Sequence, residues 1–522
     1  MTTREDQPRQ LDCSVVIPVF NRGEALAAGS ESLRAQSIGA ERFEVIYVDD
    51  GSTDGYTPAL INEVAAGVTN ARVFHEPASG SPGRPRNVGV AQARGEFVFF
   101  SDHDDWFDPR ALERLVGWAR KHDSDVVVGK VVAHGGRTRI PRLFAASRAS
   151  VPAPEAMISL TPHKLFRRSF LEEHDIRFPE GKRRLEDHHF VTHAYLHAKV
   201  ISVYADHVCY HHNDPGTDEN FSQTRSDPAL YVESNVEVID LIRRHTEHDP
   251  DRRDAMLERP VLHELIKKAA PGRLKQIDGD GETRKYRAIA TALREVPPTV
   301  IDRFGVFPRA TACALLRDDD SAVRRISEVA ETVHVGARVL RIQSSGTHWL
   351  IDYRITLLSG GAPVMFGPGS KRRHWRLATT SLAAEVPEQV PLRALTDVEV
   401  EVFLAHRQSA LQWPVVSTGS ASLRRLGRRA KVTLSKERAL TFDGRAVLDL
   451  AQIGDERLGV GRWDLTLRVD ALGLNRGARL RVPRNEPGLR LPTAERIDAG
   501  YRVKAIRTQR RRTLAIRVQQ DL

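Results

Sequence analysis

Residues 96–109 read EFVFFSDHDDWFDP, an apolar run that ends in Asp102, Asp104 and Asp105. A short apolar run bounded by turn residues is the pattern of a strand buried on both faces. Carboxylates crowded into one turn repel one another unless a cation compensates. Hard divalent cations take such oxygens as ligands and share them with phosphate. The competing reading is a plain turn, with Asp108 capping a helix that starts at Pro109.

The same texture extends on both sides. SVVIPVF (14–20) reads as a buried strand, and residues 23–35 follow with helical spacing at Ala25, Leu26, Ser30 and Leu33. FEVIYVDDGS (43–52) is a second strand ending at Asp49 and Asp50, residues 112–121 form a helix, and SDVVVGKVVA (124–133) is a further strand. Strand–helix alternation predicts a parallel, doubly wound sheet. The polar clusters that follow each strand then share the carboxyl edge of that sheet, where open α/β sheets bind ligands.

Each cluster has two readings. Asp49 and Asp50 suit hydrogen bonds to a nucleobase or ribose, or an Asx-turn into Gly51. In GSPGRPRNVG (80–89), Arg84 and Arg86 are guanidinium forks suited to phosphate at a helix N-terminus, or members of a surface loop. Glu186 and Asp187, in RRLEDHHF (183–190), suit deprotonation of a hydroxyl, or the dipole at a helix start. His189/His193 and His193/His197 are i,i+4 pairs. Such spacing suits zinc, but no cysteine and no HExxH accompanies it, which favours packing roles. His211 and His212 open the polar stretch CYHHNDPGTDENFSQ (209–223), which could fold over a diphosphate.

Beyond residue 226 the texture changes. ALYVESNVEVIDLIRRH (229–245), RDAMLERPVLHELIKKAA (253–270) and RKYRAIATALREV (284–296) are helical by period. From about 331 the pattern is period-two. HWLIDYRITLLSGG (348–361), DVEVEVFLAH (397–406), GRWDLTLRVDALG (461–473), ARLRV (478–482) and TLAIRV (513–518) predict antiparallel strands. The length suits two β-sandwiches of about 100 residues each, with a break near 422–429.

The chain has 522 residues, of which 41% are hydrophobic, enough for more than one core. No segment approaches the roughly 20 apolar residues that cross a bilayer, and MTTREDQPRQ is not a signal peptide. Cys13, Cys209 and Cys313 form no metal-type pair, which fits a reducing cytoplasm. The net charge of +10 favours anionic partners, or reflects a solvated Arg-rich surface. No nucleic-acid motif accompanies it, so nucleic acid is not an expected partner.

In this order, VVIPVFNRGEALAAGSESLRAQS (15–37), VDDGSTD (48–54), GRPRNVGVAQARGEFVFFSDHDDWFDP (83–109) and LEDHHF (185–190) resemble the inverting family 2 glycosyltransferases of GT-A fold. The likeness covers residues 12–224. SGSPGRPRN (79–87) and the loop running from YHHND to NFSQT (210–224) are most similar to the wall teichoic acid, or poly-ribitol-phosphate, glycosyltransferases of Gram-positive bacteria. Those enzymes also carry a helical linker and C-terminal immunoglobulin-like β domains that trimerise. There the likeness is one of architecture, without residue matches.

The resemblance implies a GT-A catalytic domain over 1–225, a helical linker over 226–330, and β-sandwiches over 331–425 and 426–522. It implies that Pro18 and Asp50 contact the nucleobase and that Arg86 is the donor-loop arginine. Asp102, His103 and Asp104 occupy the D-x-D motif, with Asp104 as ligand of Mn²⁺ or Mg²⁺, Asp102 acting through water or ribose, and Asp105 supporting from behind. His103 departs from the Ser or Ala common there. Asp187 is the implied catalytic base with Glu186 beside it, and His211 and His212 stand at donor-loop positions. The implied reaction is a single displacement from a nucleotide-sugar, a UDP-sugar, to a hydroxyl of a polyol-phosphate or other anionic glycan. Arg252, Arg253, Arg259, Lys267 and Lys268 would track acceptor phosphates, unless they are a solvated helix face. A cytoplasmic enzyme touching the inner membrane face, trimeric or dimeric through its C-terminal domains, completes the expectation. Capsule, lipid-linked glycan or secondary metabolite acceptors, and a non-catalytic glycan-binding scaffold, are the alternatives.

Overall fold

The computed structural model describes residues 11–21, 23–134, 142–213, 227–271, 273, 281–368, 374–377, 390–391, 395–407, 412–424, 438–450, 460–483, 489–492, 495–497, 501–508 and 512–520. Two compact units divide the chain: residues 1–264 with 275–281, and residues 265–274 with 282–522.

The first unit is built on an eight-stranded sheet. Its elements in chain order are β1 (Cys13–Val19), α1 (Leu26–Arg34), β2 (Phe43–Asp49), α2 (Thr57–Ala66), β3 (Ala71–His75), α3 (Gly83–Gln92), β4 (Phe97–Phe100), β5 (Trp106–Phe107), α4 (Ala111–His122), β6 (Val126–Ala133), α5 (Ala153–Ala156), β7 (Leu165–Arg167), α6 (Arg168–Glu173), α7 (Glu186–His197), β8 (Ile201–His212), α8 (Pro228–His245) and α9 (Pro250–Arg259). The strand order is β3-β2-β1-β4-β7-β6-β8-β5. β1, β2, β3 and β4 run parallel, as do β6 and β8. The expected α/β sheet is therefore present, but it is mixed: β7 runs antiparallel to both β4 and β6, and β5 antiparallel to β8. Strands of three and two residues are too short to show a period, which is why the sequence did not disclose them.

β1 and β2 are buried at every position, as strands covered by helices on both faces must be. Pro18 sits inside β1 without breaking a ladder. Val16 turns its carbonyl toward β4 and accepts from Ser101, whereas Val19 turns toward β2 and accepts from Asp50. Pro18 shares the parity of Val16, but the β1–β4 pairing ends at Val16↔Phe100. The N–H that proline lacks thus points where β4 has already ended, at the crevice where the strand order reverses. Close approach of α3 to the sheet depends on Gly89, where a Cβ would lie 2.2 Å from Val16 Cγ1.

The second unit begins with α10 (Gly281–Arg294), α11 (Pro298–Ile301), α12 (Val306–Leu316) and α13 (Asp320–Thr332). Antiparallel strands follow: β9 (Val333–Ser345), β10 (His348–Ser359), β11 (Ala362–Pro363), β12 (Met365–Pro368), β13 (His374–Leu377), β14 (Val390–Pro391), β15 (Val398–His406), β16 (Gln412–Arg424), β17 (Arg438–Asp449), β18 (Gly461–Ala471), β19 (Leu474–Arg479), β20 (Glu495–Ile497), β21 (Tyr501–Arg507) and β22 (Leu514–Gln520). Trp349 and Trp463, on β10 and β18, are fully buried. The expected limit near 425 falls between β16 and β17, which pair from Val416↔Val447 to Arg424↔Ala439. β17 also pairs with β10 on its other side. Among the described residues, no helix is long and apolar enough to cross a membrane.

Candidate active site

The ends of β1, β2 and β4, the N-terminal turns of α3 and α7, and the end of β8 bring the polar groups of the first unit together. Asp102 follows β4 directly. Its N–H donates to the Tyr210 hydroxyl at 3.0 Å, which also lies 3.0 Å from Ser101 Oγ. Asp105, three residues on, is fully buried, and its Oδ1 accepts from the Asn213 N–H at 2.7 Å. Gly29 of α1 lies against this turn; a Cβ there would stand 2.7 Å from the Asp105 carbonyl. β5 pairs with β8 through Trp106↔His211 and Phe107↔Tyr210, which carries His212 to the acids.

One ligand atom from each of Asp102, Asp105 and His212 lies within 4.8 Å of the others. Asp105 Oδ2 is buried with no hydrogen-bond partner. Burial, then the charges of Asp102 and Asp104, push the Asp105 carboxyl well above its ordinary range. Burial acts on Asp102 in the same direction. The imidazole of His163, 3.1 Å away, and the guanidinium of Arg86 outweigh it and hold Asp102 well below. An orphaned carboxylate oxygen facing a second carboxylate and an imidazole is a fitting cradle for a divalent cation. Asp104, the expected metal ligand, is not in this convergent set. His103 has a buried Nε2 without a partner.

Arg86 does not reach out to solvent. It is 4% exposed, donates to Asp102 Oδ1 at 2.9 Å and to Glu186 Oε1 at 3.1 Å, and lies over the Phe178 ring. Burial alone would depress its pKa, but the charges of Asp102, Glu186 and Asp187 raise it. The arginine expected at the donor is thus also the bridge between the two acid clusters. Glu186 is buried and committed to that bridge. Asp187 is left at the start of α7, and its Oδ1 accepts from the His188 N–H at 2.8 Å. Burial raises its carboxyl above the usual range, and Arg86 partly offsets this.

Asp50 lies at the end of β2, two residues from where Pro18 pairs with Val48. Its carboxylate accepts from the Ser79 N–H at 3.0 Å and the Ser79 hydroxyl at 2.9 Å. Burial raises it, and Ser79 works against that. His211 faces away from the acids, stacked on Trp106 and 3.0 Å from His134 Nε2; burial lowers it to about 4. Of the stretch 209–223, expected to cover a diphosphate, residues 214–223 lie outside the described residues.

His163, Tyr210 and Lys164 were not singled out in the sequence. Lys164 is fully buried, donates to the Thr161 carbonyl and is lowered by burial to about 7. The one signal for His163 and Lys164 was the basic pair in HKLFRR ahead of a strand, which acquires meaning only once β7 is known to lie beside β4. The linker cations are already engaged. Arg252 donates to the Leu196 carbonyl, Arg253 to Asp254 and Arg259 to Glu264, so part of each guanidinium is committed within the chain.

The family model Glycosyl transferase family 2 matches residues 14–175, and the model Glycosyl transferase TarS linker domain matches residues 228–327. The poly(ribitol-phosphate) beta-glucosyltransferase of Bacillus spizizenii is 36% identical over 201 residues, which are 38% of this chain and 32% of that protein. The poly(ribitol-phosphate) beta-N-acetylglucosaminyltransferase TarS of Staphylococcus aureus is also 36% identical over 201 residues, 38% of this chain and 35% of that protein. The matched stretch spans about a third of the length of these curated relatives. The crystal structure of S. aureus TarS 1-349 in complex with UDP-GlcNAc superposes with a TM-score of 0.56 at 26% identity, over 65% of this chain and 96% of that one. Full S. aureus TarS superposes with a TM-score of 0.54 at 21% identity, over 98% of this chain and 86% of that one, a likeness of fold alone.

Proposed function

We propose, for a chain whose residues 14–175 match glycosyl transferase family 2 and whose residues 228–327 match the TarS linker domain, that it moves a sugar from a UDP-sugar to a hydroxyl of a poly(polyol-phosphate) of the cell envelope, with inversion. The observation that carries this reading is the continuous set Asp105–Asp102–Arg86–Glu186–Asp187, in which Asp105, Arg86 and Glu186 are buried and Asp102 and Asp187 are half-buried. It joins a cation cradle to the Asp187 carboxylate at the carboxyl edge of the sheet. Similarity to enzymes named for poly(ribitol-phosphate) supports the acceptor class, and the donor in the TarS complex supports UDP-GlcNAc as the first donor to try.

In this reading Asp102, Asp105 and His212 hold the ion. A set of two carboxylates and one imidazole suits Mn²⁺ better than Mg²⁺, which prefers oxygen alone. When bound, the ion supplies charge neutralisation for the leaving diphosphate. Asp50 and the backbone at Pro18 receive the nucleoside. Arg86 and His163 fix Asp102, while His103 and Asp104 line the approach. Asp187 takes the proton of the acceptor hydroxyl; a buried carboxyl with a raised pKa is the stronger base when ionised. Glu186 holds Arg86 in place rather than accepting that proton.

The four-part domain plan, and assembly as a trimer or dimer through the C-terminal strands, belong to the same proposal; light scattering before and after truncation near residue 330 tests assembly. The function itself is tested by nucleotide release from UDP-GlcNAc, UDP-glucose and GDP-sugars with poly(ribitol-phosphate) and Mn²⁺, with and without EDTA. Acceptor-dependent UDP release that EDTA abolishes, and a β-linked product by NMR, is expected. Absence of release with every donor and acceptor would leave a glycan-binding scaffold as the better account.

A further inference from the structure

Helix α7 carries a second cluster at its far end. His193 and His197 are one turn apart, and His245, the last residue of α8, reaches them. One ring nitrogen from each lies within 4.8 Å of the others. The ring centroids of His193 and His197 are 5.1 Å apart, those of His193 and His245 5.5 Å, and those of His197 and His245 4.9 Å. The i,i+4 pair was visible in the sequence; its partner, 48 residues beyond His197 in the chain, was not.

We propose that His193, His197 and His245 form a binding site for a divalent transition ion of the Zn²⁺ type, separate from the carboxylate cradle. Three observations support it. First, His245 Nδ1 is 2.9 Å from the Leu241 carbonyl. A carbonyl only accepts, so Nδ1 carries the proton and the Nε2 lone pair is directed outward, as in metal sites whose histidines are fixed by a backbone carbonyl. Second, among the described residues neither His193 nor His197 makes a hydrogen bond, so their lone pairs are not committed to packing. Third, His174 stacks on His197 with centroids 4.6 Å apart, which holds the plane of that ring.

The geometry is within reach of a tetrahedral centre. With Zn–N near 2.0–2.1 Å, two ligand nitrogens are about 3.4 Å apart, so the rings must close by about an ångström, leaving the fourth position to water. Three neutral imidazoles without a carboxylate select Zn²⁺, Co²⁺ or Ni²⁺ over Mg²⁺ or Ca²⁺.

Such an ion would clip the C-terminal ends of α7 and α8 together. The residues leading into α7 already meet the middle of α8, where Arg183 pairs with Glu237 and the Arg184 N–H donates to Ser234 Oγ. His193 stands about 9 Å along the helix axis from Asp187. The ion would thus fix the helix that presents the proposed base without touching substrate.

The test uses the full chain, stripped with EDTA and desalted, and titrated with Co²⁺ followed optically and then with Zn²⁺ as competitor. One Co²⁺ with the intense visible band of a tetrahedral imidazole site is expected, displaced by Zn²⁺. His245→Ala, at an exposed helix end, should weaken this binding at least about 100-fold and leave Mn²⁺ binding unchanged. His197→Ala should do the same, and Asp102→Asn should retain the Co²⁺ band. The proposal is overturned if the wild-type chain takes up no Co²⁺ or Zn²⁺ at this site, or if both histidine variants bind them as the wild type does.

Discussion

Charged side chains are handled in opposite ways at the sheet edge of the first unit and on the β10–β17 face of the second. In the first, Arg86 lies buried between Asp102 and Glu186, with Asp105 and Asp187 close by. In the second, Arg354 on β10 pairs with Asp443 on β17, and Arg445 on β17 pairs with Asp352 on β10. The cross-strand carboxylates are partly exposed and matched by cations, and Arg354 draws Asp443 below its ordinary range. The sheet-edge carboxylates outnumber the cations that touch them, and burial raises Asp105, Glu186 and Asp187. The β10–β17 face pairs its charges in solvent, where mispairing is cheap. A surplus of buried carboxylate is costly, and it is what a site retains for a cation and a proton.

The sharpest way to break this contrast is Asp187→Asn. Removing a general base costs about 10²- to 10⁴-fold in turnover, while donor binding, measured by calorimetry, should stay near wild type. Turnover close to wild type would sink the assignment. Wild-type turnover should also fall as pH drops through the raised pKa of Asp187, beginning at higher pH than for an ordinary aspartate, because the base works only when ionised. Arg86→Met comes next. It strips the counter-charge from buried Glu186, and breaking a buried pair in this way costs about 3–5 kcal/mol. Denaturant unfolding should show that loss, and adding Glu186→Gln should restore part of it. Equal stability of the single and double variants would mean that Glu186 is not held by Arg86.

How much of this was legible follows from the same contrast. β1, β2 and β4 announced themselves because strands covered on both faces need unbroken apolar runs, and the polar turns after them marked the sheet edge. Asp187 lies at the start of α7, where a basic loop gives way to an apolar period of helical spacing. What the sequence did not carry was pairing at a distance. His212 meets Asp102 and Asp105 because β8 lies beside β5, a strand of two residues with no period to read. His163 arrives through β7, three residues long and antiparallel to its neighbours. Arg86 read as a phosphate fork because nothing local says that Glu186, 100 residues on, will claim it. The β16–β17 hairpin was hidden for a different reason: the basic stretch between the two strands resembles a linker whether or not the strands pair.

Gly29→Ala sharpens the link between α1 and the acid turn. A mid-helix Gly→Ala change ordinarily stabilises by up to about 1 kcal/mol. Here the new methyl meets the backbone carbonyl of Asp105, and overpacking of this kind costs about 1–3 kcal/mol. The chain should lose stability modestly, and the Mn²⁺ concentration for half-maximal activity should rise as Asp105 is displaced. A stabilised variant with unchanged Mn²⁺ dependence would show that the turn yields freely and does not hold the cradle in shape.

The smallest effect is expected where the charges are paired in solvent. Asp443 is held by Arg424 at 2.6 Å as well as by Arg354. Arg354→Ala therefore leaves the carboxylate with a partner, unlike Arg86→Met. A loss of about 0.5–1 kcal/mol in unfolding free energy is expected, shrinking as salt is raised. Because the pair is bidentate, with Nε and Nη2 each on one carboxylate oxygen, Arg354→Lys should lose nearly as much as Arg354→Ala. A loss of several kcal/mol, insensitive to salt, would place this pair with Arg86 rather than opposite it.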